Sequence, residues 1–548
     1  MRLKKIAIGF VILVIVVILA AMFGVKYAEK HYSNRVIPVK DKVAISIGGI
    51  DLSLLKGGLV LSDVQLIDTL DPVATGSVKS VTVQGIHLWK LITGGGLSIS
   101  SLNVEGVKCA LNLSRLRNDS SSTVSHDSLG AAGINDSLVT FGPVDTLDRA
   151  IEIDTINAML YFSASQLRVG FDSEMHPDIR AVEIDYVQYR PGKGKYDVDV
   201  GRITSSAGLR LIELDSFQLT PRYPKYEFGF QAGRRMASID ILINKINVRE
   251  FDLKALTRDS LISIQSMVCH RAMVDVFSDK RVPIDMDRYG ALPHEALLNA
   301  SSHIAIDSVL IKDADVRFTS LNPHTMEEGY LEFKRSYVSV YNVTNIAERI
   351  EKNSSMTLDI YSKFTNEGEL DAHFDFPLNR RDYQFTWTGS LGRMKLGSLD
   401  SFVLPVANLN IVNGYCHGLK FHVVSDYDTS RGNLQFQYTN LKIMAMDSER
   451  EKELKFLSGL ANALVVKSNN LIGDKNFFEG PINFGREMNR GFPDYVWKSL
   501  EHGILYSIIG EGLAKRIENQ PAKAKEKESR KEERRAKREA KKNDKKGH

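Results

Sequence analysis

The sequence predicts a mainly β protein: an elongated, repeating antiparallel sheet, with an N-terminal transmembrane helix and short C-terminal helices. Three observations carry this prediction. Apolar and polar residues alternate with a period of two from about residue 40 to 445, which sends successive side chains to opposite faces of a strand. One alternating stretch is written more than once with its apolar positions kept. Helical periodicity is confined to the ends of the chain and a few short pieces.

In chain order, "MRLKKIAIGFVILVIVVILAAMFGVKYAEK" places Arg2, Lys4 and Lys5 before an uncharged run from Ile6 to Val25. A helix of that length rises about 30 Å, the thickness of a bilayer's hydrocarbon core, and the basic flank keeps the short N-terminus cytoplasmic. A cleaved signal peptide is the competing reading. Its apolar region is usually about 7–15 residues and precedes a small-x-small site, a pattern missing here. Residues 1–30 are therefore expected to hold the anchor, with the rest of the chain across the membrane.

Residues 31–116 and 138–450 read as strands. Val43, Ile45 and Ile47 share a face, as do Leu358, Ile360 and Phe364, and Tyr383, Phe385 and Trp387. The same spacing aligns Leu409 with Ile411, Leu419 with Phe421 and Val423, and Leu434 with Phe436 and Tyr438. Polar residues fill the alternate positions, so one face is wet and the other apolar. The Ser-rich stretch 117–137 reads as a mobile loop. Residues 451–520 read as helical, with "ELKFLSGLANALVV" from Glu453 and "DYVWKSLEHGILYSIIGEGLAKRI" from Asp494. In the second, Val496, Leu500, Ile504 and Ile508 form a stripe beside Trp497, Leu505, Ile509 and Leu513. That stripe suits packing on the end of the sheet, or lying on a membrane or partner. Residues 521–548 form a basic, disordered tail of Lys and Arg with fewer Glu. Such a tail is a solvated end or is drawn to anionic headgroups. It carries no aromatic for stacking on bases, which argues against nucleic acid.

The repeat shows when "VTVQGIHLWKLITGGGLSISSLNVEGVKCAL", from Val81, is shifted by 165 positions. Val83 then meets Val248, Ile86 meets Phe251, Leu88 meets Leu253 and Leu91 meets Leu256. Ile99 meets Ile264, Leu102 meets Met267 and Leu111 meets Val276. Upstream, Gly49-Ile50-Asp51-Leu52 matches Gly85-Ile86-His87-Leu88, and Leu59, Leu61, Val64 and Leu66 match Leu97, Ile99, Leu102 and Val104 after a two-residue gap. The unit is a strand, a short amphipathic piece, a turn, and a strand that changes face midway. Similar units added side by side extend a sheet without closing it. About thirty strands at about 4.8 Å each would span on the order of 150 Å.

Residues that suggest chemistry fall short of a site. Cys109, Cys269 and Cys416 are too scattered for a disulfide framework. Cys269 and Cys416 each precede a histidine, but neighbours on a strand point to opposite faces, so these pairs read as buried thiols beside exposed imidazoles. His294-Glu295 opens an H-E-x-x-H motif whose fifth position is Leu298, so the second metal ligand is missing. Asp285-Met-Asp287 and Asp313-Ala-Asp315 mimic a D-x-D motif without the alternating αβ units a transferase needs. No nucleophile elbow, Walker A or dinucleotide fingerprint occurs. No catalytic residue, metal or cofactor is expected.

A transmembrane run followed by "ISIGGIDLSLLKGGLVLSDVQLID" and "SVKSVTVQGIHLWKLITGGGLSISSLNVEG" resembles the N-terminal region of AsmA-like proteins of double-membraned bacteria. "LPHEALLNASSHIAIDSVLIKDADVRFTS" with "YLEFKRSYVSVYNVTN" resembles the middle of a subgroup. "GSLGRMKLGSLDSFVLPVANLNIVNGYCHGLKFHVV" and "GNLQFQYTNLKIMAMD" resemble the family's C-terminal region. The Ser-rich insertion and the long basic tail depart from the pattern. The resemblance implies a β-groove related in architecture to bridge-like lipid-transfer proteins. It also implies a single-pass anchor in the bacterial inner membrane, a periplasmic body, and non-enzymatic passage of phospholipids toward the outer membrane. Its partners would be phospholipids, the inner membrane and an outer-membrane or periplasmic protein. The groove candidates are Leu97, Ile99, Ile264, Leu358, Ile360, Leu409, Ile411, Leu419, Phe421, Leu434 and Phe436. The alternative is an envelope scaffold whose apolar face is sealed by its own segments.

Overall fold

A computed structural model describes residues 36–40, 43–53, 58–68, 74–86, 99–112, 159–171, 177–191, 194–206, 209–252, 255–256, 260–446 and 466–510. The anchor expected between Ile6 and Val25, the groove candidate Leu97, the expected Ser-rich loop, the helix expected from Glu453 and the expected tail lie outside these residues. Among the described residues the protein is mainly β, with 60% strand against 15% helix and a large antiparallel sheet, as period-two alternation demands. No helix among the described residues is long and apolar enough to cross a membrane.

The chain divides into two units, one of Met1–Phe277, Ala296–Val316 and Tyr337–Met356, the other of Ser278–Glu295, Arg317–Ser336 and Thr357–His548. In the first, β1 (Val36–Lys40), β2 (Val43–Ser53), β3 (Gly58–Asp68), β4 (Ala74–Gln84), β5 (Ser101–Asn112), β6 (Met159–Phe171) and β7 (Pro177–Arg190) pair in sequence order. β8 (Tyr196–Val200) and β9 (Ile203–Ser206) both pair with β7, as two halves of one broken strand. β10 (Leu211–Leu214) and β11 (Phe217–Pro221) continue the ladder from them. The two breaks match, because Gly201 N–H donates to the Ser216 carbonyl and Asp215 N–H to that of Arg202. The helix α1 (Lys225–Gln231) leads into β12 (Ser238–Arg249), which pairs with β10, β11 and β13 (Leu261–Asp279). Further along come α2 (Pro293–Leu298), β14 (His303–Leu321), β15 (Glu328–Thr344), α3 (Ala347–Lys352) and β16 (Ser355–Phe364).

The second unit contains β17 (Gly368–Pro377), β18 (Phe385–Leu391), β19 (Met394–Lys395), α4 (Asp400–Ala407), β20 (Leu409–Ser425), β21 (Thr429–Ala445), β22 (Gly480–Gly485) and α5 (Phe492–Ile509). β17 pairs with β18, β18 with β20, β20 with β21 and β21 with β22. The region expected to be helical thus holds a strand as well. β22 is short and glycine-bounded, and its Pro481 lacks a ladder donor, which suits an edge and hides the strand from a search for alternation. α5 starts two residues before Asp494 and stops before the expected end, where Gly510 takes φ 77°, a backbone conformation open to glycine.

The repeat is realised in the backbone. β4 and β5 pair Val83 with Leu102, Val81 with Val104, Ser80 with Glu105, Val78 with Val107, and Ala74 with Leu111. Shifted by 165, these become Val248 with Met267, Ile246 with Cys269, Lys245 with His270, Ile243 with Ala272, and Ile239 with Val276, all pairs of β12 and β13. The left-handed residues coincide too: Gly85 (φ 68°) with Glu250 (φ 51°), and Gly106 (φ 63°) with Arg271 (φ 51°). In the upstream copy, Ile47–Val64 and Ile45–Leu66 correspond to Val83–Leu102 and Val81–Val104.

These left-handed residues explain why a strand changes face midway. Asp63 (φ 51°) sits between Leu61 and Val64, and Gly106 between Val104 and Val107. One residue out of phase keeps apolar positions three apart on the same side, as a bulge does. The ladders skip Gly48, Asp63, Lys79, Gly106 and Ser165 opposite one another, so the seam crosses β2 to β6. Because every strand carries the extra residue, the register on either side is undisturbed. Strands therefore run through their face changes, reaching 19 residues, and the described strands number 22 rather than about thirty.

A Cβ on Gly106 would lie 2.7 Å from the Cβ of Lys79. Gly106→Val should therefore destabilise the fold by about 2–3 kcal/mol, from left-handed strain and that clash. Arg271→Gly, which relieves strain but loosens the unfolded chain, should stay within about 1 kcal/mol. Urea midpoints of the two variants check this contrast.

The apolar sheet face as candidate functional site

In the first unit, Ile45 and Ile47 of β2, Leu59, Leu61 and Val64 of β3, Val81 and Val83 of β4, and Ile99, Leu102 and Val104 at β5 form one cluster, each between 0% and 4% exposed. Burying a side chain of this size contributes about 1.5–3 kcal/mol. Ile50, Val78, Ile86, Val107, Leu167, Val169 and Phe171 pack around its rim. Among the alternate positions, Asn103 donates to Glu105 at 2.9 Å and Ser80 to Glu105 at 3.4 Å.

The second copy of the repeat keeps the register and opens part of the face, while Ile246 and Cys269 stay buried like their counterparts Val81 and Val104. Val248 and Met267 are half-buried where their counterparts Val83 and Leu102 are buried, and Ile264 is half-buried where Ile99 is buried. Farther along the same strands the face is closed by α1. Its Phe228 is fully buried among Tyr196, Leu219, Met236 and Ile239. The Tyr196 hydroxyl donates to the Ala237 carbonyl at 3.1 Å and accepts from Ile239 N–H at 3.2 Å. Burial pushes that phenol's pKa up.

In the second unit, Leu358 and Ile360 are half-buried on β16. Leu419 pairs with Phe436 and Phe421 with Leu434, all four between 0% and 7% exposed. Ile411 pairs with Ile443 and Leu409 with Ala445; Ile411 is buried and Leu409 half-buried. The structure thus gathers Leu419, Phe421, Leu434 and Phe436 on one face and sets Leu409 and Ile411 farther along it, beyond register shifts near Asn413 and Tyr415.

The helix α5 covers part of this face. Phe492 lies 5.7–5.9 Å from the rings of Phe374, Phe376 and Phe385. Ser499 Oγ donates to Ser430 Oγ at 2.9 Å, and Tyr438 donates to the Ser507 carbonyl at 3.4 Å. A Cβ on Gly503 would lie 2.9 Å from Ile482 and 3.0 Å from Leu434. The buried side of α5 is Tyr495, Ser499, Gly503, Tyr506 and Ser507, whereas Val496, Leu500, Ile504 and Ile508 are only half-buried. Close approach needs small side chains, while an apolar stripe is sought by size. The spacing of Ser499, Gly503 and Ser507 by four is the signal that would have found the contact face.

The interrupted H-E-x-x-H lies in the second unit as a structural cluster. His294 is fully buried beside Phe376, Tyr383 and Phe385, and its Nε2–H donates to the Tyr383 carbonyl at 2.9 Å. Glu295 accepts from the Tyr289 hydroxyl at 2.5 Å and from Leu292 N–H at 2.9 Å, which caps α2. Arg486, 8% exposed, donates to the carbonyls of Gly290 and Tyr427. Its guanidinium stands 5.5–5.9 Å from the rings of Tyr289, Tyr427 and Tyr495. None of the three cysteines forms a disulfide, and burial raises each thiol to about 11. No group of three or more His, Cys, Asp or Glu suited to a metal occurs among the described residues. Asp313 adopts φ 60°, which places it among the left-handed strand positions, and the Ala314 beside it is 3% exposed.

Burial depresses His294 to about 4, against the weaker opposing effect of its bond to Tyr383. Below about pH 6.5 the unfolded chain takes up a proton that the folded chain refuses, so stability falls as pH drops from about 6.5 to 4. The loss approaches 3 kcal/mol at about 1.4 kcal/mol per unit. In His294→Gln, which keeps a donor for Tyr383, this component of the slope should vanish; urea midpoints across that window check it.

No protein-family model and no curated protein matches the chain.

Proposed function

We propose that the protein is a non-enzymatic, membrane-anchored envelope protein that shelters and passes phospholipid acyl chains along the apolar face of a repeat-built β-groove. The opened second copy of the repeat carries this reading. Val248 and Met267 keep the backbone register of Val83 and Leu102 in the closed core, and with Ile264 they are only half-buried. An apolar stripe of that kind suits acyl chains, since each methylene withdrawn from water gains about 0.8 kcal/mol and equivalent positions recur along the sheet. The uncharged run from Ile6 to Val25 would anchor the chain in an inner membrane. The body would then lie in the periplasm, facing an outer-membrane or periplasmic protein partner.

A second reading, the sealed scaffold, is favoured by one observation. In the second unit, α5 packs against Leu434 and Ile482, so that patch is occupied by the chain itself. Lipid contact is therefore assigned to the half-buried stripe and not to Phe421 or Leu434.

Full-length protein purified from membranes and carrying a photo-crosslinking residue at Met267 should capture phospholipid, seen by mass spectrometry. The same residue at Asn247 or Phe421 should capture none. Absence of lipid at Met267 in folded protein selects the scaffold. For topology, alkaline phosphatase fused after Gln520 should be active in the periplasm; activity only of a cytoplasmic reporter there would remove the envelope assignment.

A further inference from the structure

The strands of the second copy carry their apolar face in rows. Ile212, Val248 and Met267 stand abreast on β10, β12 and β13, and all three are half-buried. The rows of Ile246 and Ile243 follow, and then that of Leu219, Ile241 and Val274. The ladder skips Asn244 and Arg271 together, and this matched offset keeps all four rows on one face. At the fourth row the face meets α1. Ile241 and Val274 pack against the cluster that holds Phe228, which is fully buried with its ring centre 5.2 Å from that of Tyr196. The opposite end is charged, since exposed Arg249 follows Val248 and Arg210 pairs with Glu250 at 3.1 Å.

From Val248 to Ile241 a strand rises about 20 Å, at about 3.3 Å per residue. A bilayer core of about 30 Å holds two layers of chains, so one acyl chain reaches about 15 Å. The run is long enough for one chain and too short for two end to end. Its charged start suits a headgroup that stays in water, and a buried aromatic ring closes its far end. We propose that α1 is an end stop, with Phe228 setting how far an acyl chain reaches along these strands. The inference rests on the acyl-chain reading of this face and adds chain length as its selectivity. It limits reach along a strand, whereas passage from strand to strand runs across that direction. A methylene that the face cannot hold is left in water after being sheltered in the bilayer. Each one should therefore lower capture about fourfold.

The test holds the full chain in nanodiscs of phosphatidylcholine whose acyl chain carries a photoreactive diazirine, either beside the ester or at the methyl end. After irradiation, peptide mass spectrometry locates the label. The ester-side probe should label Val248 and Met267, and the methyl-end probe should label Ile241 and Val274. In nanodiscs with equal amounts of two chain lengths, capture by the parent should be indifferent to length up to the stop. Beyond it, capture should fall by about fourfold per methylene. In Phe228→Leu and Phe228→Ala, compared at an unchanged melting temperature, the limit should move to longer chains. The label positions are read in the parent, so a variant that fails to fold leaves the test intact. The same residues labelled by both probes, equal capture of every length, or a limit unmoved in both folded variants overturns the end stop and leaves acyl binding in place. No label from either probe in folded protein removes the acyl-chain reading itself, and the end stop with it.

Discussion

The structure depends on a constraint of parity. A strand that buries one face must return an apolar residue to that face at every second position, and a single extra residue inverts everything beyond it. This chain inserts extra residues and still keeps one continuous apolar face, because the insertions are matched across neighbouring strands. Gly48, Asp63, Lys79, Gly106 and Ser165 oppose one another along a line through the ladder. The buried cluster of β2 to β5, the common register of the two distant hairpins and the length of the strands all presuppose that line.

Much of this was legible in the sequence because it rests on short-range patterns. The shift of 165 positions aligned apolar residues, and the structure assigns the same partners to both copies. The faces of Ile45 and Ile47, of Leu419, Phe421 and Val423, and of Leu434, Phe436 and Tyr438 were readable from alternation, and all eight side chains are buried. The left-handed positions were half legible. Gly85 and Gly106 are glycines, but Glu250 and Arg271 occupy the same conformation and give no compositional sign of it.

What escaped the sequence is governed by contacts distant along the chain. The packing side of α5 is chosen by the close approach of Gly503 to Leu434 and Ile482, a matter of space rather than of apolar content. The fate of His294 is decided by the ring of Phe385 and the carbonyl of Tyr383, some ninety residues away (a separation of 89). Alternation marks Phe421 and Val248 alike as apolar. Only the structure separates them, one buried and the other half-buried.

The seam also limits how such a chain can change in length. A lone residue added to or lost from β3 or β5 would put that strand out of step with both neighbours and turn its apolar half to water. An added hairpin brings its own pair of offset residues and leaves its neighbours in step, as β12 and β13 reproduce β4 and β5. Variation in length should therefore come in quanta of whole hairpins, or fall in the connections where no ladder keeps count. The line of offset residues works like a dislocation in a crystal: it can cross the lattice from edge to edge, but it cannot end inside it.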